Sequence, residues 1–359
     1  MTNGNPTRIQ GVWNSCGGFC VRTKGTVLSF KIYTIRPELR DKIDRRDLVK
    51  LGLWATGGAM VPRGLMAQAD IVPTEEFPPS QNLETPEANL GGLWDQGVLP
   101  DNRLLLYYGF PQVDTMGILG EYSPEEIVTR INQQREEYEA VTTDGRPWLT
   151  GFELIGSVAQ GDPQPDNSYI ADTDGRWLDL YTIFAHENNM QLVIDVQMGR
   201  KKPHEDYEGL ERWVRYPHVH LAIDPEFHLE NPDDGIPGID LGWIHADDVT
   251  RAQNWMAGLS DKYGLPRKIL MVHQFHEIMI REKEKVQPVD GVDLVINFDG
   301  WGSPRNKMEG YRLIISREPV QYNGFKIFYR QDIVPEGSTL ISPAEVMAFD
   351  PVPDVVNYQ

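Results

Sequence analysis

The chain has 359 residues, of which 40% are hydrophobic and 10% aromatic, and its formal net charge is −19. A chain of this length and composition can bury a sizeable core, which excludes a disordered or fibrous protein. Because so acidic a surface repels phosphate groups, we expect no nucleic-acid partner.

Charge is distributed unevenly along the chain. Residues 1–69 carry 11 basic and 4 acidic side chains, whereas residues 70–359 carry 23 basic and 49 acidic ones. This asymmetry predicts two segments with different roles. Both cysteines, Cys16 and Cys20, lie in the basic segment, so disulfides, cysteine nucleophiles and cysteine-bound zinc are excluded from the acidic segment.

Residues 44–69 resemble a twin-arginine export signal. Arg45 and Arg46 precede an apolar run at 51–61, and the small residues of Ala67-Gln68-Ala69 then suit a signal peptidase. The run, about 11 residues long, is too short to span a bilayer. We therefore expect recognition by the twin-arginine export machinery, a periplasmic or extracellular location, and no membrane segment in the mature form. The alternative is a basic amphipathic helix at the start of a cytoplasmic domain.

The rest of the chain divides into three parts around this signal. Residues 1–43 are an N-terminal extension, either genuine or a product of start-codon choice. Residues 70–103 are rich in Pro, Glu and Asn, and we interpret them as an extended lead-in. The main domain is predicted at 104–359.

The main domain alternates apolar runs typical of strands with helical patterns. The predicted strands are 104–110, 149–158, 190–198, 218–227, 269–275, 292–299 and 325–329. The predicted helices follow Ser123 and lie at 173–188, 205–214, 246–263, 276–286, 305–317 and 342–349.

This alternation predicts parallel β-α-β units in a (β/α)₈ barrel of the α/β class. The eighth strand is the uncertain element: we favour 355–358, with 311–316 as the alternative. An open doubly wound sheet is the alternative fold. It is disfavoured because no glycine-rich phosphate loop follows the first strand.

In a barrel of this kind the active site forms at the C-terminal ends of the strands. Several strands here begin apolar and end polar, and alternate side chains of a strand share one face. We therefore expect one set of polar residues to converge on the barrel mouth: Asp195, Gln197, Asp224, Glu226, His273, Asn297 and Asp299. His218 and His220 stand at the start of the fourth strand and are expected to be structural.

Asp224 and Glu226 are the strongest functional candidates. On one strand face they would lie about 6.6 Å apart, since a strand rises about 3.3 Å per residue. Two ionised carboxylates at that distance are costly unless they are solvated or their pKa values separate. Pro225 between them also removes an amide from the sheet ladder.

Asp224-Pro225-Glu226 at the end of the fourth strand resembles the Asp-x-Glu of (β/α)₈ glycoside hydrolases, including chitinase-like and lysozyme-like barrels. The resemblance covers 104–359 and implies that Glu226 is the acid/base, with Asp224 as its partner. The further aspartates of chitinases are missing, because 219–222 reads Val-His-Leu-Ala. Other barrel glycosidases take the second carboxylate from strand six, here Asp299, or from strand seven, where Asp332 is nearest.

Glycoside cleavage needs one protonated carboxyl group and a second carboxylate that acts as nucleophile or base. Glu226 with Asp224 or Asp299 meets this requirement. The long Gly/Pro loop at 228–244 is a candidate lid over the substrate. Polar and aromatic residues near the strand ends are the expected substrate contacts: Asp195, Gln197, His273, Gln274, Asn297, Trp301, Trp243 and Tyr108.

The sequence thus predicts an exported glycan-active hydrolase with no cofactor and no metal, whose partner is a carbohydrate or another extracellular substrate. A metal-dependent hydrolase with Asp195, His273 and Asp299 as ligands is disfavoured, because no His-x-His ends the first strand. The third hypothesis is a non-catalytic exported carbohydrate-binding protein.

Export can be tested on the N-terminus of the secreted protein. Mass spectrometry is expected to find a chain that starts near Asp70, and Arg45→Lys with Arg46→Lys is expected to keep the protein in the cytoplasm. Arg36→Lys with Arg40→Lys is the matched control and should leave export unchanged. A wild-type chain that stays intact in the cytoplasm contradicts the prediction.

Overall fold

The computed structural model describes residues 96–359, apart from 112, 335 and 336, and three short strands nearer the N-terminus. The export signal predicted at 44–69 and most of the lead-in predicted at 70–103 lie outside the described residues. The three strands belong to the unit Met1–Thr56 and form an antiparallel sheet: Gly11–Trp13, Phe19–Thr23 and Thr26–Phe30.

Eight parallel strands form the main domain. They are β1 (Arg103–Gly109), β2 (Trp148–Ala159), β3 (Gln191–Val196), β4 (Val219–Ile223), β5 (Lys268–His273), β6 (Val292–Phe298), β7 (Tyr322–Ile327) and β8 (Val355–Tyr358). Each strand pairs with its neighbours in the chain, and β1 pairs with both β2 and β8. The ring is therefore closed, which confirms the (β/α)₈ barrel of TIM type and places the eighth strand at 355–358.

Helices connect the strands around the ring. They are α1 (Ile118–Glu121), α2 (Pro124–Glu139), α3 (Gly175–Glu187), α4 (Pro203–Tyr207), α5 (Glu211–Val214), α6 (Ala246–Tyr263), α7 (Pro304–Tyr311) and α8 (Pro343–Val346). The chain continues from α7 as a π-helix at Arg312–Ser316, so the alternative strand at 311–316 was wrong. Within the described residues, no helix is both long and apolar enough to cross a membrane.

Two segments differ from the sequence-based expectation. The helix predicted at 276–286 is replaced by short 3₁₀ turns and the strand Ile280–Arg281, which pairs with Ile244–His245. A left-handed backbone at Glu282, with φ of 58°, interrupts any helix there. The sequence also did not predict the short strand Ile170–Asp172, which pairs antiparallel with the end of β2.

The long helix α2 shows how the sequence encodes these elements. Ser123 and Glu126 form a capping box, and Pro124 occupies the first helical position, where its missing N–H is not needed. Ile127 and Ile131 then face the barrel and are completely buried. Local capping and a 3.6-residue apolar stripe thus fix both the start and the orientation of the helix.

The packing of α2 yields a stability prediction. Ile131→Ala removes a fully buried side chain and leaves a cavity, so it is expected to lower the free energy of unfolding by about 2–5 kcal/mol. Glu136→Ala, on the exposed face of the same helix, is the control and should change it by less than about 0.5 kcal/mol. Urea unfolding of both variants measures the difference, and equal effects would contradict this packing.

Candidate active site

The interior of the barrel is layered, with apolar side chains below and polar ones above. The lower residues are buried together and come from six strands: Leu104, Leu106, Val193, Ala222, Ile269, Met271, Val295 and Val355. Alternate residues of a strand face the same side, so side chains two positions later also point inward. At the C-terminal ends of the strands these are polar and buried: Tyr108, Glu153, Asp195, Asp224, His273, Asn297, Lys326 and Asn357.

Three carboxyl groups come together at the mouth of the barrel. One oxygen from each of Asp224, Glu226 and Asp299 lies within 4.8 Å of the other two. Asp224 and Asp299 are buried, whereas Glu226 is half-buried. We call these three residues the carboxyl trio. The sequence analysis proposed all three for catalysis, and the structure places them in one cluster.

The approach of Glu226 to Asp224 has a different origin from the one expected. Strand β4 ends at Ile223, so the predicted strand to residue 227, with both carboxyls on one strand face, was wrong. Instead, Asp224 caps a 3₁₀ turn at Pro225–Phe227, and its Oδ1 accepts a hydrogen bond from the Glu226 amide at 3.2 Å. The turn, not the pleat of a strand, brings Glu226 back over the mouth.

His273 lies beneath the trio in a network that crosses the barrel. Its Nε2 is 2.7 Å from Glu153 Oε1, and its Nδ1 is 3.5 Å from Asp299 Oδ2. Asn297 Nδ2 lies 3.1 Å from the same Nδ1 and 3.3 Å from Asn357 Oδ1. Asn357 in turn donates a hydrogen bond to Glu153 Oε2 at 2.5 Å. Five buried residues from four strands and one adjoining loop are thus connected.

A second cation, Lys326 on β7, also points into the mouth. Its Nζ lies 3.5 Å from the centroid of the Tyr108 ring, a cation–π contact. The Tyr108 hydroxyl donates to Asp195 Oδ2 at 3.2 Å. Tyr108 therefore joins the polar network as a buried donor instead of presenting a free ring face to a sugar.

Burial and mutual repulsion favour the neutral form of several of these carboxyl groups. Burial raises the pKa of Asp224 to about 8, with repulsion from Asp195 and Asp299 adding to it against the attraction of His273. Burial, Asp224 and Asp299 hold the pKa of Glu226 well above its usual range. Burial likewise raises the pKa of Asp195 to about 6 and that of Asp299 in the same direction, although His273 opposes both shifts.

The pKa of His273, in contrast, is shifted toward the charged form of the side chain. Burial favours its neutral form, but Glu153 and Asp195 outweigh burial and raise the pKa of His273 to about 10. This shift favours the positively charged form of the imidazole at neutral pH.

The contact with Glu153 also bears on the metal-dependent alternative. Oxygen and nitrogen atoms of Glu153, Asp195 and His273 lie within 4.8 Å of one another, a spacing compatible with a cation. The 2.7 Å contact between His273 Nε2 and Glu153 Oε1 has the length of a hydrogen bond, and a cation bound to Nε2 would have to displace it.

Three residues that the sequence analysis named as site candidates are engaged outside the cluster. Gln197 is buried, and its Oε1 accepts a hydrogen bond from the Ala159 amide at 2.7 Å, so it ties β3 to the end of β2. Gln274 donates from Nε2 to the His276 carbonyl at 3.2 Å and stays with the loop after β5. Asp332 accepts hydrogen bonds from the Gly302 and Phe328 amides and pairs with Lys307, so it serves the architecture.

The aromatic candidates differ in availability. Trp243 has one ring face covered by Arg281, whose guanidinium carbon lies 3.2 Å from the ring centroid. Trp301 follows Asp299 directly after β6 and is half-buried. Trp301 is therefore the better candidate for a sugar-stacking surface.

The predicted lid loop at 228–244 returns to the turn that carries Glu226. The Gly242 amide donates to the Glu226 carbonyl at 2.7 Å. A Cβ at Gly242 would lie 2.4 Å from His228 N and Pro225 O, so this close approach requires glycine. The loop thereby holds the backbone of Glu226 in place.

Three residues of the polar layer were missed by sequence reasoning: Glu153, Lys326 and Asn357. Glu153 and Lys326 are each the only charged residue of their strand, and Asn357 lies between Val356 and Tyr358; this is the only sequence signal available. A charge in the middle of a buried strand requires a partner, and that requirement could have drawn attention to Glu153 and Lys326.

Comparison with known proteins adds no assignment. No protein-family model matches the chain, and a search of curated proteins found no match. The barrel and its carboxyl cluster are compatible with a hydrolase, and the function has to be argued from the site itself.

The raised pKa of Asp224 predicts how stability depends on pH. In the unfolded chain this carboxyl ionises near pH 4, but in the folded protein it keeps its proton to about 8. The folded state therefore binds more protons in this window, and stability falls as pH rises from about 4 to 8. Asp224→Asn, which keeps the acceptor oxygen, is expected to gain stability relative to wild type over that window.

Urea unfolding at pH 5, 7 and 9 measures this difference, which we expect to reach roughly 1 kcal/mol or more at pH 9. Asp162→Asn, an exposed loop position, is the control and should show no such trend. A constant difference between Asp224→Asn and wild type at all three pH values would show that Asp224 is ionised throughout.

Proposed function

We propose that this protein hydrolyses glycosidic bonds at the C-terminal mouth of its barrel. The observation that carries the proposal is the carboxyl trio, whose oxygens lie within 4.8 Å of one another at the strand ends. Glycoside cleavage requires two carboxyl groups in different protonation states close to one bond. Burial and repulsion provide the raised pKa of Glu226 that a general acid needs.

In the proposed reaction Glu226 protonates the leaving glycosidic oxygen. Asp299 attacks the anomeric carbon, and the bond to the leaving oxygen breaks. Water then hydrolyses the glycosyl ester, with Glu226 accepting its proton. The nearest oxygens of the trio lie within 4.8 Å of one another, which is compatible with the roughly 5–5.5 Å carboxyl separation of retaining enzymes, so the proposal takes a covalent intermediate.

Asp224 has a supporting role in this scheme. It accepts the Glu226 amide hydrogen bond, which orients the turn, and its carboxyl group contributes to the raised pKa of Glu226. Asp195, His273 and Asn297 line the base of the site, and Trp301 stands at its edge. These positions support a sugar ring bound over the trio with one face on an aromatic side chain.

The remaining parts of the proposal concern location and partner. The acidic main domain and the signal-like segment at 44–69 support a secreted or periplasmic enzyme that acts on a carbohydrate. The proposal includes export by the twin-arginine machinery and a mature form free of the membrane.

Glu226→Gln is the central test. It preserves the shape of the side chain and removes the titrating proton, so it is expected to lower turnover by about 10²–10⁴ while glycan binding stays nearly unchanged. Asp299→Asn should abolish formation of the covalent intermediate and lower turnover at least as much. The measurement is hydrolysis of chitin-type, peptidoglycan and plant-type glycans, followed by kinetics on any substrate that is cleaved.

Glu230→Gln is the matched control, because Glu230 is exposed on the loop that follows Glu226. It should retain wild-type turnover. Equal turnover by wild type and Glu226→Gln would remove Glu226 from the mechanism. Loss of wild-type activity on treatment with a chelator, restored by a divalent cation, would favour the metal-dependent alternative instead.

A further inference from the structure

The trio contains three similar carboxyl groups, and their surroundings distinguish one of them. Asp299 Oδ2 lies 3.5 Å from His273 Nδ1. In the described part of the chain, no Lys, Arg or His nitrogen comes within 4.0 Å of a carboxylate oxygen of Asp224 or Glu226. A nearby positive charge favours the ionised form of a carboxyl group. Asp299 is therefore the member of the trio best placed to lose its proton first.

The charge on His273 depends in turn on Glu153. Glu153 Oε1 and His273 Nε2 are 2.7 Å apart, and both side chains are completely buried. The second oxygen of Glu153 is held by Asn357, so the carboxylate has a fixed position and orientation. Neither charge would be stable at this depth without the other.

We propose that Glu153 and His273 are positioning residues that hold a positive charge against Asp299 and thereby select it as the ionised carboxylate of the trio. This inference rests on the proposed function, because it assigns the nucleophile of that reaction to Asp299. It concerns two residues beneath the site, of which Glu153 had no place in the sequence-based hypothesis.

The amide of Asn297 accommodates the charged imidazole. As placed, its Nδ2 faces His273 Nδ1, and its Oδ1 is buried without a hydrogen-bond partner. The two ends of an amide are interchangeable in shape, so a turn of the side chain brings the free oxygen to the protonated nitrogen, in exchange for the 3.3 Å hydrogen bond from Nδ2 to Asn357 Oδ1. Asp299 Oδ1 is also buried without a hydrogen-bond partner.

Other charged and titratable groups around the mouth also influence the protonation of His273 and Asp299. They are Tyr108 from β1, Asp195 from β3, Asp224 and Glu226 after β4, Lys326 from β7 and Lys307 from α7. Lys307 is paired with Asp332 at 3.1 Å and so compensates a charge of its own. Lys326 and Lys307 both lower the pKa of Asp299, whereas burial and Glu153 raise it. His273 is the cation in direct contact.

Carboxyl ¹³C NMR of the full chain, with labelled aspartate, tests the proposal without any substrate. Asp299→Asn identifies the Asp299 signal. His273→Gln removes the positive charge and is expected to raise the pKa of Asp299 by about 1–3 units, the size of shift typical of a close charge partner. His220→Gln is the matched control, since His220 is a buried barrel histidine two residues into β4, and it should leave the Asp299 signal unchanged.

The variant Glu153→Gln distinguishes an effect that Glu153 exerts on Asp299 through His273 from a direct effect of the Glu153 charge on Asp299. If Glu153 acts through His273, its loss lets the imidazole become neutral, and the pKa of Asp299 rises as it does in His273→Gln. If Glu153 acts on Asp299 only as a nearby negative charge, its loss lowers that pKa. The double variant should match His273→Gln alone, because without the imidazole Glu153 has no positive charge to hold against Asp299.

Ring ¹⁵N shifts of His273 complete the test: both nitrogens should be protonated at pH 7 in wild type and lose one proton in Glu153→Gln. A neutral His273 in wild type, or a lower pKa of Asp299 in Glu153→Gln, overturns the proposal.

If His273→Gln does not fold, the isosteric Glu153→Gln decides alone. These readouts need no turnover, so the inference can fail or stand separately from glycoside hydrolysis. On a cleaved substrate, the acid limb of kcat/KM should move to higher pH in both variants.

Discussion

The buried pair of Glu153 and His273 is the contact on which the mouth of this barrel depends. Five carboxyl groups and two cations meet there with little access to water: Glu153, Asp195, Asp224, Glu226, Asp299, His273 and Lys326. Buried charges are tolerated only when they are paired or neutralised. The pair neutralises one carboxylate at 2.7 Å and leaves the remaining carboxyl groups to share protons and the field of His273 and Lys326. Different protonation states among neighbouring acids follow from this arrangement.

Closure of the barrel explains why these groups meet at all. Parallel strands place all their C-terminal ends at one side of the ring, and alternation sends every second side chain inward. The apolar layer that includes Leu106, Val193 and Met271 fills the lower interior. Polar side chains two positions later cannot avoid one another, because the ring leaves them no other direction. The same register that packs the core therefore assembles the site.

The sequence predicted the parts of this structure that depend on local pattern. Strand and helix periodicities gave seven strands and the eighth at 355–358, since these patterns arise within one element. Glu153 escaped notice because its meaning lies in residues far along the chain: His273 is 120 positions away and Asn357 is 204. Asp224 and Glu226 were expected to be close for the wrong reason, because a strand was assumed where Asp224 caps a turn. The helix at 276–286 failed where Glu282 adopts a left-handed conformation and the preceding segment pairs with a distant strand.

Position and charge at Asp299 are controlled by different contacts. The loop that follows Asp299 is held by Lys307, which donates to the Gly300 carbonyl at 2.8 Å, and by Asp332, which accepts from the Gly302 amide at 2.8 Å. That second buried pair, Lys307 with Asp332, fixes where the backbone of the loop lies. Glu153 on β2 and His273 on β5, the strand next to β6, act instead on the proton of the same carboxyl group. Because the two pairs share no residues, the geometry of the site can stay constant while its protonation changes. A nucleophile needs both properties at once, a fixed approach and an available charge.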